Sequence, residues 1–271
     1  AYMDTASANS MVTDSAAGSS SWGGGVRVNN GALNIGPDGT AHKPILQKFK
    51  EGGKAVGCVT TVPITHATPA GFSVSTKNRG SQELIATMYL DLKFDVMMGG
   101  GNEFFSAEKR KDGRDLFAEF AKSGIQVART KTEMQNFKTG TPVLGVFHED
   151  GLPYAVDHAS DPGLIATIPT LAEMTRKAIE QLSKNPNGFV LQVEGGKVDW
   201  AAHANDLSAL VYDQIAFDEA VGVAIAFAEK NTDTLVVITT DHGNASPGLI
   251  KSDKVDESFD RQSLSKLVSL S

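Results

Sequence analysis

Apolar and polar positions alternate along this chain in a way that predicts strands and helices taking turns. Short apolar runs that read as strands fall at residues 55–61, 94–98, 125–127, 188–193 and 234–240, and residues 142–147 form a further apolar stretch. The run at 234–240 is the clearest strand signal of all. Helical spacing is expected over residues 43–52, where Pro44 suits the first turn and Gly52 ends it, and over 81–90 and 115–122. Thr170 and Glu173 make a capping box for a helix to about residue 183, with Leu171, Met174, Ala178, Ile179 and Leu182 on one stripe. A long helix is expected over 209–230 with Ile215, Val221, Ile225 and Ala228 facing in, and residues 256–270 read as an amphipathic helix. Residues 22–39 and 62–69 read as loops, Gly99-Gly100-Gly101 as a tight turn, and residues 131–140 carry no pattern. Strands alternating with helices predict an α/β fold with a mostly parallel central sheet flanked by helices.

Composition narrows the function. The 271 residues suffice for a substantial core, and 41% hydrophobic with 21% charged residues matches a soluble globular protein. No apolar run approaches the roughly 20 residues that span a bilayer. A net charge of −7 without a basic block argues against nucleic acid as a partner. Cys58 is the one cysteine, so no intrachain disulfide forms, and its apolar surroundings suggest core rather than nucleophile. No signal peptide is visible, which leaves the compartment open because export would have removed one.

Candidate chemistry gathers where the strands end. The stretch VEGGKVDWAAH, residues 193–203, places Glu194 at the carboxyl end of a strand, where open α/β sheets bind ligands. Asp199 and His203 are four apart and would share a helical face, a carboxylate and an imidazole suited to zinc. The alternative is a solvated acidic turn with a surface histidine. Asp241 and His242 follow the strand at 234–240, and His66 and Thr68 leave the one at 55–61, so the same edge receives them. Asp14 and Ser15 precede a segment of small residues. A helix starting there would turn free N–H groups toward an anion, although an N-cap is the plainer role for either residue. His148 and His158 receive no role.

Taken together these motifs resemble the alkaline phosphatase family. They are VTDSAAGS at 12–19, THATP at 65–69 with Arg79 following, VEGGKVDWAAHAND at 193–206 and TTDHG at 239–243, in the family's order. The intervening PTLAEMTRKAIEQLSKN and FDEAVGVAIAFAEKN are similar to it as well. The resemblance implies a three-layer sandwich and hydrolysis of phosphate monoesters through a phosphoserine, with two zinc ions and one magnesium. It implies that Ser15 is the nucleophile, that Arg79 binds the phosphate oxygens, and that Asp14 supports Arg79. It further implies that Asp199 and His203 bind one zinc, that Asp241 and His242 bind the other, and that Glu194 and Thr68 belong to the magnesium site with His66 near it. The implied partners are small phosphomonoesters and inorganic phosphate, with a homodimer for the full-length protein and a periplasmic or secreted home.

The sequence also departs from the family's pattern. Members carry a strand before the nucleophile whose Gly-Asp-Gly-like turn supplies an Asp bridging zinc and magnesium. Only fourteen residues precede Ser15 here, and Asp4 is too close to serve. Members also end on a strand with one more zinc-binding His, and nothing after His242 is a histidine. Each zinc would be one ligand short, as expected for an internal fragment of a longer enzyme. Residues 1–271 are accordingly read as one partial domain, apparently truncated at both ends, with 249–271 as the start of an insertion or peripheral segment. His66 and Trp200 stand where the enteric enzymes have Asp and Lys and where other bacterial members have His and Trp, which bears on magnesium affinity and pH optimum. Two alternatives are a non-catalytic fragment that keeps the fold, and a phosphodiesterase or sulfatase of the same superfamily.

Overall fold

The structure, a computed structural model, describes residues 3–244 together with the backbone of two short strands, Gly248–Leu249 and Val268–Ser269. Five strands, β1 (Ala55–Pro63), β2 (Val96–Gly100), β3 (Gln126–Ala128), β4 (Val143–Val146) and β5 (Phe189–Glu194), form one sheet in the order β3-β4-β2-β1-β5. Every pairing in it is parallel. Parallel neighbours require crossovers, and helices supply them on both faces.

Side chains alternate across the sheet because a strand has period two. Val56 and Cys58 of β1, Met97 of β2 and Leu144 of β4 therefore share one face with Leu46 of α2 (Ile45–Glu51) and with Ile85 and Tyr89 of α4 (Gln82–Leu92). Leu116 and Phe120 of α5 (Leu116–Lys122) join them there. On the opposite face, Ala55, Val59, Val96, Met98 and Val143 meet Met174, Ala178 and Leu182 of α9 (Leu171–Leu182). A fully buried Leu such as Leu144 or Leu182 contributes about 1.5–3 kcal/mol relative to exposure. Among the described residues the remaining α-helices are α1 (Ser15–Gly23), α3 (Ala67–Ser73), α6 (Lys131–Gln135), α7 (Ala155–Ser160), α8 (Pro162–Thr167), α10 (Gly196–His203) and α11 (Leu207–Ala228).

Several expectations need correction. Residues 234–240 belong to no strand among the described residues, and Leu235, Val237 and Ile238 are 85%, 70% and 58% exposed. An apolar β-branched run favours a strand, but a strand exists only where a neighbour completes its ladder of hydrogen bonds. For the same reason β5 is an edge strand and mostly half-buried. In α11 the inward positions are Ala209, Asp213 and Ala220, with Phe217 packed beside them, while Ile215 and Ile225 are exposed. That helix is apolar nearly all round, so its periodicity does not choose a face.

Four short helices, α3, α6, α7 and α8, lie in stretches that carried no helical reading. Thr130 and Glu133 form a capping box for α6, and Asp161 caps α8 with Pro162 in its first turn. The supposed loop at 62–69 ends inside α3. Gly99 and Gly100 are strand residues rather than a turn. A Cβ on Gly100 would meet the Asp150 carbonyl, and only Gly101 has positive φ, +99°. The expected helix at 256–270 lies outside the described residues, apart from Val268–Ser269, which pairs antiparallel with Gly248–Leu249.

Candidate active site

Helix α1 begins where its sequence can cap it. The Asp14 carboxylate accepts from Ala17 N at 2.9 Å, which makes Asp14 the N-cap and Ser15 the first helical residue. The other Asp14 oxygen accepts from Gly31 N and from Arg79 Nη1, each at 3.0 Å. One carboxylate thus fixes a helix start, a turn and a guanidinium. Ser15 is buried, and its Oγ lies 3.0 Å from His242 Nε2. Gly18 keeps the contact close, since a Cβ there would come within 3.1 Å of Asp241.

Arg79 has a second partner. Its Nη2 lies 3.1 Å from His66 Nε2, and a guanidinium only donates, so Nε2 accepts. The neutral ring then carries its proton on Nδ1, which is buried without a partner. Burial, aided by the Arg79 charge, pulls the His66 pKa down to about 4. His66 also meets Trp200 edge-on, with ring centroids 5.9 Å apart.

Glu194 closes β5 opposite Thr60 of β1. Its Oε2 accepts from Thr60 Oγ1 at 2.6 Å, and the Thr68 hydroxyl also bonds the carboxyl. Burial pushes this carboxyl up to about 7 despite those bonds, and Asp241 and Asp199 push in the same direction. Gly195 and Gly196 let the chain turn here. A Cβ on the first would meet the Phe217 ring, and one on the second would meet Val62 and the Glu194 carboxyl.

Helix α10 carries Asp199 and His203 on one face, His203 Nε2 lying 3.5 Å from Asp199 Oδ1. Asn244 donates to that Asp199 oxygen at 2.7 Å. Asp241 Oδ2 lies 3.3 Å from His242 Nε2, and His242 Nδ1 faces the Gly243 carbonyl at 3.2 Å. A carbonyl only accepts, so the Nδ1 proton faces Gly243, and Nε2 stands between the Ser15 hydroxyl and the Asp241 carboxylate.

The donor chemistry suits divalent cations. Glu194, Asp199 and Asp241 are near enough to raise one pKa, and such crowding of carboxylates and imidazole lone pairs is relieved by positive charge. The candidates are nevertheless gathered in small sets: Asp199 with His203, Asp241 with His242, and Glu194 with Thr60 and Thr68. His203 is 68% exposed. Among the described residues, no three His, Cys, Asp or Glu side chains come close enough together to enclose a metal ion.

The alkaline phosphatase family model matches residues 1–253. The chain belongs to the alkaline phosphatase family. Alkaline phosphatase 3 of Bacillus subtilis is 40% identical over 237 residues, covering 85% of this chain and 49% of that protein. The alkaline phosphatase of Thermus thermophilus superposes with a TM-score of 0.87 at 42% identity, covering 92% of this chain and 52% of that one. A variant of the alkaline phosphatase from the Antarctic bacterium TAB5, solved with Mg bound in its M3 site, superposes with a TM-score of 0.84 at 29% identity over 99% of this chain and 76% of that one. The chain spans about half the length of the curated alkaline phosphatases it matches.

Against that family background, the fold places Ser15, Asp14, Arg79, His66, Thr68, Glu194, Asp199, His203, Asp241 and His242 in one region around the carboxyl ends of β1 and β5. Sequence reasoning missed Thr60 and Asn244, which hold the Glu194 and Asp199 carboxylates. Asn244 stands two residues beyond His242 and was within reach of the motif. Thr60 looks like any strand threonine until β5 is placed beside it.

Proposed function

We propose that this chain carries the catalytic core of a phosphomonoester hydrolase. The observation that supports it most is a single hydrogen-bonded unit: a buried serine at a helix start, whose N-cap carboxylate also holds a guanidinium. Ser15 Oγ attacks phosphorus and releases its proton to solvent, and the substrate's oxygen leaves as the alkoxide and takes up a proton from water. Water then attacks the phosphoserine, releasing inorganic phosphate and restoring the hydroxyl. Arg79 holds phosphate oxygens with its planar fork, and the bonds to Asp14 and His66 fix the plane of that fork.

Bound divalent metals would supply fixed positive charge to the phosphate oxygens and activate the hydroxyl and water. Asp199 with His203 and Asp241 with His242 would hold two zinc ions, and Glu194 with Thr68 a magnesium ion beside His66. The Mg in the M3 site of the TAB5 variant supports metal dependence. We further propose small phosphomonoesters as substrates, a homodimer for the full-length protein, and a periplasmic or secreted location. No described helix is long and apolar enough to cross a membrane.

A second reading is favoured by the incomplete gathering of metal-binding side chains: the chain keeps the fold without turnover. Hydrolysis of p-nitrophenyl phosphate at alkaline pH, with zinc and magnesium added, separates the two. The first reading expects turnover that Ser15→Ala abolishes while metal content stays unchanged. Turnover that survives Ser15→Ala removes Ser15 as nucleophile, and a folded, inactive parent chain favours the second reading.

A further inference from the structure

Behind the site lies a buried cation that the mechanism does not use. Lys197 is 6% exposed, and its Nζ sits 3.8 Å from the centroid of the Tyr154 ring and 4.5 Å from that of Trp200. A lysine is rarely buried unless paired, and a desolvated ammonium over aromatic faces is one of the ways it is held. Its backbone is pinned too, since Lys197 N donates to Thr61 Oγ1 at 3.0 Å. Asp213 of α11, Asp150 and Asp157 act on the ammonium as favourable charges. Asp213 is itself buried and accepts from Ala155 N at 3.1 Å, which ties the start of α7 to α11. The Trp200 ring has a second neighbour, Gly151, where a Cβ would come within 3.0 Å of the indole.

We propose that Lys197 is a positioning residue for phosphate binding, clamping Trp200 against His66 so that the His66–Arg79 contact keeps the guanidinium in one plane. The proposal rests on the reading of Arg79 as the phosphate-binding group. The path is continuous: Tyr154 and Trp200 share the ammonium, Trp200 meets His66 edge-on, and His66 Nε2 lies 3.1 Å from Arg79 Nη2. Lys197 touches neither Arg79 nor Ser15 in this path, so its influence passes through Trp200.

The test uses the full 271-residue chain in a Trp22→Phe background, which leaves Trp200 as its one tryptophan. Inorganic phosphate is titrated by calorimetry, and Trp200 fluorescence anisotropy is read in the absence of phosphate. Lys197→Met, of similar length and without charge, should weaken phosphate binding about fivefold, the scale of one cation–π contact, and lower the anisotropy. Lys197→Arg should restore both, because it keeps a cation over the rings. Tyr154→Leu should shift both in the direction of Lys197→Met, and the double variant should add little. Arg79→Ala is the control. If Arg79→Ala leaves phosphate affinity unchanged, the assignment of Arg79 fails. If Arg79→Ala weakens binding while Lys197→Met leaves affinity and anisotropy unchanged, the clamp fails and Arg79 stands. A uniform loss of stability, with no rescue by Lys197→Arg, also overturns the proposal.

Discussion

At the scale of single residues, the buried carboxylates give the structure its pH dependence. Burial raises the Asp213 pKa to about 6 from an ordinary 3.8. Between those values the folded chain keeps a proton that the unfolded chain has lost, so stability falls as pH rises from about 4 to about 6. Above that window the ionised Asp213 bears a desolvation cost that the Ala155 N–H and the Lys197 charge offset only in part. Asp213→Asn keeps an oxygen for Ala155 N and removes the charge. It should therefore stabilise the chain at pH 8 by on the order of 2 kcal/mol, with no gain at pH 4. Urea unfolding at the two pH values reads this directly, and an equal effect at both would show that burial of the charge is not the cause. Residues of this kind were hard to read in advance. Asp213 sits on a helix whose apolar residues point in every direction, and nothing local says that an aspartate faces inward. Asp14, by contrast, was legible as an N-cap and as a support for Arg79, and the two roles turn out to use different oxygens of one carboxylate.

At the scale of elements, the site depends on how closely α1 lies on α3. Gly71 permits that approach, since a Cβ there would come within 2.1 Å of Ser19 Oγ and 2.6 Å of its Cβ. Ser19 in turn donates to the Ala67 carbonyl at 3.0 Å, so the contact is bonded as well as packed. Gly71→Ala should cost about 1–3 kcal/mol by overpacking and shift α1, which carries Ser15. Thermal unfolding would show a lower midpoint, and Ser19→Gly in the same chain should recover part of it. Full additivity of the two changes would mean that the helices meet elsewhere. Helices with caps or a clear stripe, such as α9, were legible because their signals are local. Helix α3 was not, because its seven residues include Thr, Pro, Gly and Ser and are buried by their neighbours rather than by their own pattern. The pairing of β1 with β5, which brings Thr60 to Glu194, joins residues 134 apart in sequence, and no local pattern encodes it.

At the scale of the whole molecule, the sheet presents β5 at an edge, and the apolar segment 234–240 stands exposed. Exposed β-branched runs and open edges are templates for association. The chain should self-associate at micromolar concentration, and Val237→Lys should shift sedimentation velocity toward the monomer. A monomeric parent chain would show that this surface is harmless. The α/β class was legible because alternation of strand and helix patterns survives at any chain length. The place of 234–240 was not, because a strand's existence depends on its neighbour as much as on its own residues. The closeness of Ser15 to His242 carries a further consequence, for the order of events during synthesis. The two lie 227 residues apart in sequence. At about 5–20 residues per second on the ribosome, the serine emerges on the order of ten to forty seconds before its partner. The sheet from β1 to β5 can close in that interval. The nascent chain thus acquires its five-stranded sheet before Ser15 meets His242.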